Sequence, residues 1–365
     1  SNSSAASDVY KRQAYSMTQT TNDFVSPPRR KGRTRKRIAG LAFLLALIAA
    51  TIWILQYRGT STLRVAEGAI FGTTYHIKYE APQALDEAIR EELQRVDNSL
   101  SVFNKESTIS QVNAGQSQRT DAMLYEVVAK AQQISEVTRG AFDITVMPLV
   151  NAWGFGFKKG ALPSADQVDS LRALTGYQRV KLTSDSMLVK EDARMMVDCG
   201  AIAKGYAVDR IARLLREAGV RNYMVEIGGE VVTKGRNPEG HPWQIGVSKP
   251  AEGSSPQGGE LQTVLSLENA ALATSGNYRN FYERDGKKYA HTIDPRTGYP
   301  VQHSLLSATV IAPDCATADA YATAFMVLGL DSARHILADH KELKAYLIYA
   351  DAQGNLQVDA TRMPK

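Results

Sequence analysis

Tyr223-Met-Val-Glu-Ile-Gly-Gly-Glu-Val-Val-Thr-Lys234 holds two short strands, Tyr223–Ile227 and Val231–Lys234. The tight turn over Glu226-Ile-Gly-Gly-Glu230 joins them, its glycines allowing close backbone approach. Strands continue at Trp243–Ser248 and Gln262–Leu267, separated by a polar stretch, Gly253 to Gly259, read as an exposed loop. Asn277–Arg284 and Lys287–Ile293 flank Asp285-Gly286, a strong hairpin signal. Before this region, Leu85–Leu100 places Leu85, Ile89, Leu93 and Val96 at helical spacing, and Asp121–Arg139 repeats the pattern up to Gly140. Tyr206–Ala218 is an amphipathic helix stopped by Gly219, Ala69–Tyr79 a strand, and Val180–Lys190 a hairpin. A strand at Leu305–Ala312, helices at Thr317–Leu328 and Ser332–His340 and two short strands finish the chain. Helices and strands mix without a regular βαβ alternation. The fold class predicted is α+β, one domain over 67–365 with mixed or antiparallel sheets and flanking helices.

The net charge of +5 is concentrated at one end: nine Lys/Arg face two Asp up to Arg37, which leaves the remainder near −2. A slightly acidic globular part has no footprint for nucleic acid. Ser3 to Gln13 back-translates as a sequencing-library adapter, so residues 1–13 are expected to be an artefact and Met17 the natural start. A basic cytoplasmic tail, 14–37, precedes an apolar run, 38–55. Eighteen helical residues span about 27 Å, enough for the hydrocarbon core. The basic flank places the N-terminus in the cytoplasm and everything after Tyr57 outside. The reading is a single transmembrane anchor in the inner membrane, a linker at 56–66 and a domain on the periplasmic side; a cleaved signal peptide is the alternative. Cys199 and Cys315 make neither a framework nor a zinc site and are expected to be buried thiols, with a disulfide left open.

Four segments carry chemistry: Asp198-Cys-Gly-Ala-Ile-Ala-Lys-Gly205, Ala273-Thr-Ser-Gly-Asn277, His291-Thr-Ile-Asp-Pro-Arg-Thr-Gly298 and Ala318-Asp-Ala-Tyr-Ala-Thr323. Gly200 to Gly205 is read as opening a helix, whose first N–H groups and positive dipole end favour a phosphate, with Lys204 adding a charge. By itself the small-residue run also suits tight helix packing. Asp319 and Thr323 lie four apart on one helix face, and a carboxylate with a hydroxyl suits Mg²⁺. Alone, such a pair is more often a helix-dipole carboxylate and a Thr bonded into its own turn. His291, beside the turn of Asp294, Arg296 and Thr297, is a candidate general base.

Taken together, and with Phe71-Gly-Thr73, Leu100-Ser-Val-Phe103 leading to Asn113, Gly140-Ala-Phe-Asp-Ile-Thr-Val-Met-Pro-Leu149 and Trp153-Gly-Phe-Gly156, these segments resemble the ApbE family of FAD:protein FMN transferases. The resemblance runs from about Phe71 to Gly329. It implies an enzyme that takes FAD, splits its pyrophosphate with Mg²⁺, leaves FMN on a Thr or Ser of a partner protein and releases AMP. The implied partners are subunits of membrane redox complexes of the Nqr or Rnf type, carrying a Ser/Thr-Gly-Ala-Ser/Thr motif that this chain lacks. It implies that Asp319, Thr323 and the carbonyl of Ala201 hold the metal, that Phe71, Phe103, Ala141, Phe142, Asp143, Asp198, Lys204 and Ile293 contact FAD, and that His291 accepts the hydroxyl proton. Three positions depart from the family pattern: Phe71 stands for a common Met, Cys199 for a common Leu, and Ala322 for a second acidic metal ligand that some members have. Two other readings stay open, a metal-dependent FAD pyrophosphatase and a tethered flavin-binding protein without turnover.

Overall fold

The computed structural model describes residues 31–57, 61–156, 162–250, 260–277, 281–284 and 287–364. The chain divides into two units, 1–59 and 60–365. In the first, α1 (Lys31–Tyr57) carries an exposed 18-residue stretch, Lys36–Trp53, of mean hydropathy 1.7, long and apolar enough to cross a bilayer. The proposed adapter and the tail up to residue 30 lie outside the described residues.

The second unit opens with β1 (Thr62–Ile70) and β2 (Thr73–Ala81), then α2 (Asp86–Leu100), α3 (Thr108–Asn113), α4 (Ala122–Val137), α5 (Met147–Ala152) and α6 (Ala165–Arg172). Next come β3 (Val180–Leu182), β4 (Leu188–Lys190), α7 (Ala203–Glu217), β5 (Tyr223–Ile227), β6 (Glu230–Lys234), β7 (Trp243–Ser248), β8 (Leu261–Leu267) and β9 (Ala271–Gly276). It closes with β10 (Phe281–Arg284), β11 (Lys287–Ala290), β12 (Leu305–Ala312), α8 (Cys315–Leu328), α9 (Leu330–Asp339), β13 (Lys344–Ala350) and β14 (Leu356–Thr361).

Eight strands form one sheet in the order β1-β2-β5-β6-β9-β12-β13-β14, antiparallel at each pairing. The α+β expectation holds, and the sheet is antiparallel rather than mixed. Strand alternation divides its residues between two cores. On one face Ala271, Ala273, Ala308 and Val310 join Leu93, Leu124, Ile211 and Phe325 of the helices. On the other, Val231, Leu272 and Ile311 pack under Trp243, Ile245, Leu265 and Leu267 of the β7–β8 hairpin. Fully burying a side chain such as Ile211 or Phe325 contributes roughly 1.5–3 kcal/mol.

Four expectations are corrected. The strand read at Ala69–Tyr79 is a hairpin: Ile70 pairs with Thr73, and Phe71 and Gly72 form the turn with φ of 52° and 72°. Thr62–Ala66, read as linker, therefore begins β1. Gly200–Ile202 forms a turn before α7 rather than its opening. Ala273–Gly276, named as a motif segment but left out of the expected strands, belongs to β9 at the centre of the sheet. The strands of the Asp285-Gly286 hairpin pair as expected, Phe281 with Ala290 through Arg284 with Lys287, while its turn and the Gly253–Gly259 loop lie outside the described residues. Cys199 and Cys315 are buried free thiols.

Candidate active site

The site is built where α7 meets α8. Helix first turns leave N–H groups without intrahelical partners, and here each helix caps the other. Gly205 N–H of α7 donates to Asp319 Oδ2 at 3.0 Å. In return Asp209 of α7 accepts Cys315 N–H and Ala316 N–H at the start of α8, both at 2.8 Å. Burial pushes the Asp209 carboxyl up to about 7 although both N–H donors oppose it. The approach depends on Gly205, because a Cβ there would stand 2.3 Å from the Cys315 carbonyl oxygen. Asp319 is thus fixed and 3% exposed, with Oδ2 committed to α7 and Oδ1 taking no hydrogen bond from the described residues. One turn on, Thr323 Oγ1 lies 3.3 Å from Ser275 Oγ on β9.

Beside these groups opens a cavity of about 410 Å³, within the usual range for ligand sites. Its wall brings together Ala141, Phe142, Asp143, Asp198, Ala201, Lys204, His291, Ile293, Asp319 and Thr323. Phe71 and Phe103 are not on it. Phe71 sits in the β1–β2 turn two residues before Thr73, whose side chain lies against Gly228 of the wall, and Phe103 is 77% exposed between α2 and α3. Ala322 is fully buried and also off the wall.

Local bonding explains several placements. Asn113 clasps Val197 through both its amide groups, at 2.7 and 2.8 Å, and Asp198 N–H donates to the Ile144 carbonyl at 2.7 Å. Asp198 Oδ1 accepts Gly200 N–H, and burial raises the carboxyl pKa. Asp143 accepts Thr145 N–H and Oγ1–H and Tyr177 N–H; burial still raises its pKa. Both Asp143 oxygens are therefore occupied in fixing its own loop. His291 follows β11, its ring edge-on to Phe155 with centroids 6.3 Å apart. Ile293 is bridged to Pro300, and Trp153 Nε1–H anchors the following turn on the Gly298 carbonyl at 2.8 Å.

Glu230 was not foreseen as a site residue. Gly228 and Gly229, with φ of 63° and 103°, make the two-residue turn that starts β6 at Glu230, and this delivers the carboxylate to the cavity wall. Lys204 Nζ donates to Glu230 Oε1 at 2.5 Å, whereas Oε2 is buried without a partner among the described residues. Such a group costs about 1–3 kcal/mol or more if left unsatisfied. One ammonium serves two carboxylates. Burial works against the Lys204 charge, but Glu230 and Asp319 outweigh it and hold its pKa above the usual lysine value. Burial raises the Glu230 pKa, with Lys204 opposing and Asp319 adding.

The donor set suits a hard divalent cation. Asp319, Thr323, the Ala201 backbone and the unpaired Glu230 oxygen all offer oxygen, and no cluster of three His, Cys, Asp or Glu side chains occurs among the described residues. Mg²⁺ is commonly held this way, by one or two carboxylates, waters and substrate phosphates.

The model of the ApbE family matches residues 71–347. This chain belongs to the ApbE family. The FAD:protein FMN transferase of Haemophilus influenzae is 39% identical to it over 303 residues, 79% of this chain and 86% of that protein. The flavin transferase ApbE of Vibrio cholerae superposes with a TM-score of 0.74 at 33% identity, covering 83% of this chain and 98% of that one. The apo form of the Pseudomonas stutzeri flavinyl transferase ApbE gives 0.74 at 34% identity, with coverage of 83% and 96%. The ApbE match begins at Phe71, on the turn of the β1–β2 hairpin.

Proposed function

We propose that this protein transfers FMN from FAD to a Ser or Thr hydroxyl of a partner protein and releases AMP. The observation that carries the reading is one cavity holding His291, Lys204, Asp319 and Thr323 in a chain of this family. Asp319, Thr323 and the Ala201 carbonyl would hold Mg²⁺, which when bound supplies positive charge to the pyrophosphate oxygens. Lys204, fixed by Glu230, adds a second positive charge on the same wall. Ala141, Phe142 and Ile293 give apolar surface, Asp198 a polar contact, and Asp143 shapes its loop. Phe71 and Phe103, off the wall, would meet FAD only from its rim.

The His291 imidazole accepts the proton of the acceptor hydroxyl, whose oxygen attacks the FMN-side phosphorus. The bond from that phosphorus to the bridging oxygen breaks, and AMP leaves with the oxygen. The acceptor is read as an Nqr- or Rnf-type subunit with the Ser/Thr-Gly-Ala-Ser/Thr motif. The stretch Lys36–Trp53 is read as a single-pass inner-membrane anchor with the catalytic domain at the periplasmic face.

The test incubates the full chain in detergent with FAD, Mg²⁺ and such an acceptor domain, following flavin fluorescence on the acceptor band and AMP release. A labelled band that EDTA abolishes is expected. AMP and free FMN without label would overturn transfer in favour of hydrolysis, and no FAD breakdown would overturn both. His291→Ala is expected to keep FAD affinity within about threefold while slowing labelling by about 10²–10⁴-fold. An unchanged labelling rate would remove His291 from the chemistry.

A further inference from the structure

The cavity wall carries four carboxylates, Asp143, Asp198, Glu230 and Asp319, against one ammonium, Lys204. Asp143 spends both oxygens on its own loop, and Asp198 gives Oδ1 to Gly200 N–H while its Oδ2 is not among the buried oxygens left without a partner. Glu230 differs. It is 3% exposed, lines the cavity, and holds Oε2 with no partner among the described residues while Oε1 binds Lys204. Were it only a counter-ion for Lys204, a single oxygen would suffice and the other would gain by facing solvent. The two-glycine turn instead fixes Glu230 at the first, inward register of β6, paired across to Ile227, where the second oxygen is buried. A species bound in the cavity would satisfy it.

The charge balance says which kind. An anion would be repelled by an unpaired carboxylate oxygen, whereas the waters around a divalent cation are strong donors toward it. Glu230, Asp319 and Thr323 line the same cavity, so one cation can serve all three. We propose that Glu230 is a second carboxylate of the cation site: Oε2 accepts a hydrogen bond from a water of the divalent ion that Asp319 and Thr323 hold, while Oε1 keeps Lys204 turned to the substrate. Glu230 is a positioning residue in this scheme, tying the placement of the cation to that of the ammonium. The inference rests on the cation site of the proposed function and extends it to a residue outside that ligand set.

The test measures Mn²⁺ binding to the full chain in detergent, by loss of the free-ion EPR signal, without FAD or turnover. Removing an outer partner of a metal site commonly weakens affinity 10–100-fold. Glu230→Gln keeps an oxygen for Lys204 and removes the second carboxylate oxygen, and about a tenfold weaker Mn²⁺ affinity is expected. An affinity within twofold of the parent overturns the proposal. Asp319→Ala in the same assay separates the two readings. If Asp319→Ala loses Mn²⁺ and Glu230→Gln keeps it, only the Glu230 role fails. If Asp319→Ala also binds like the parent, the cation site itself is misplaced. Should Glu230→Gln fail to match the parent's thermal unfolding, Glu230→Asp takes its place, with its charge kept and withdrawn by one methylene. Weakening of at least about threefold is expected there, and parental affinity again overturns the assignment.

Discussion

Glu226 and Glu230 stand on either side of one two-glycine turn, and their surroundings are opposite. Glu226 has both oxygens satisfied within the fold, Oε1 by Gly229 N–H at 2.6 Å and Oε2 by His76 Nδ1 at 2.8 Å. It lines a depression of about 420 Å³ that shares Gly228 and Thr274 with the 410 Å³ cavity holding Glu230. Volume does not distinguish these neighbours. What distinguishes them is completeness: on one side both oxygens of Glu226 are answered, and on the other a carboxylate oxygen, one ammonium and the side chains of Asp319 and Thr323 line an opening. A buried polar group left incomplete on a cavity wall calls for an explanation, and a bound species supplies one.

The largest effect is expected at Asp319. Asp319→Ala is expected to lower both acceptor labelling and AMP release by about 10³-fold or more, since it removes the fixed charge on which the cation depends. Asp319→Asn sharpens the result, because its amide oxygen can still accept Gly205 N–H. It should lose activity by about 10²–10³-fold while holding the parental melting temperature. Activity near the parent's in Asp319→Asn would mean that the incomplete wall is not where the reaction occurs.

The outline of both walls was legible in the sequence, but their completeness was not. Alternating Tyr223–Ile227 and Val231–Lys234 about two glycines announced an antiparallel pair, and the order of the motif segments foretold the gathering of Asp198, Lys204, His291 and Asp319. β9 escaped because Ala271-Leu-Ala-Thr-Ser-Gly276 has the small, polar composition of a loop; its alanines face the helices, where larger side chains would separate the layers. β1 escaped because Thr62–Ile70 is a sheet-edge strand, exposed along much of its length and with weak alternation. Glu230 carried one local signal, an acid at the first position of a strand whose next residue is a buried Val. Its bond to Lys204, 26 residues away, is a fact of three dimensions. The same is true of the exchange of caps between α7 and α8, since neither Asp209 nor Asp319 lies near the helix end that it satisfies.

Gly205 tests whether that exchange builds the incomplete wall. The contact it would strain is backbone, so the neighbour cannot swing aside. Gly205→Ala is expected to cost about 1–3 kcal/mol, read as a lowered thermal midpoint. Mn²⁺ affinity should weaken with it, as Asp319 loses the N–H that orients it. A variant with parental stability and metal affinity would show that α8 holds Asp319 without help from α7.

The smallest effect is expected at the completed carboxylate, and it is the control for the whole comparison. Glu226→Gln keeps an oxygen for one of its two partners and removes the charge opposite His76, a pair whose side chains are 37% and 23% exposed. Exposure and screening limit a contact so placed to about 0–1 kcal/mol, so only a slight fall in the thermal midpoint is expected. Acceptor labelling and Mn²⁺ affinity should stay within about twofold, because no group at Glu226 awaits a ligand. If Glu226→Gln instead weakened Mn²⁺ as much as Glu230→Gln, charge anywhere on the hairpin would be the controlling quantity. The unpaired Oε2 would then lose its meaning. If only Glu230→Gln weakened it, two chemically identical side chains four residues apart would be separated by one property, whether the protein itself completes their bonding.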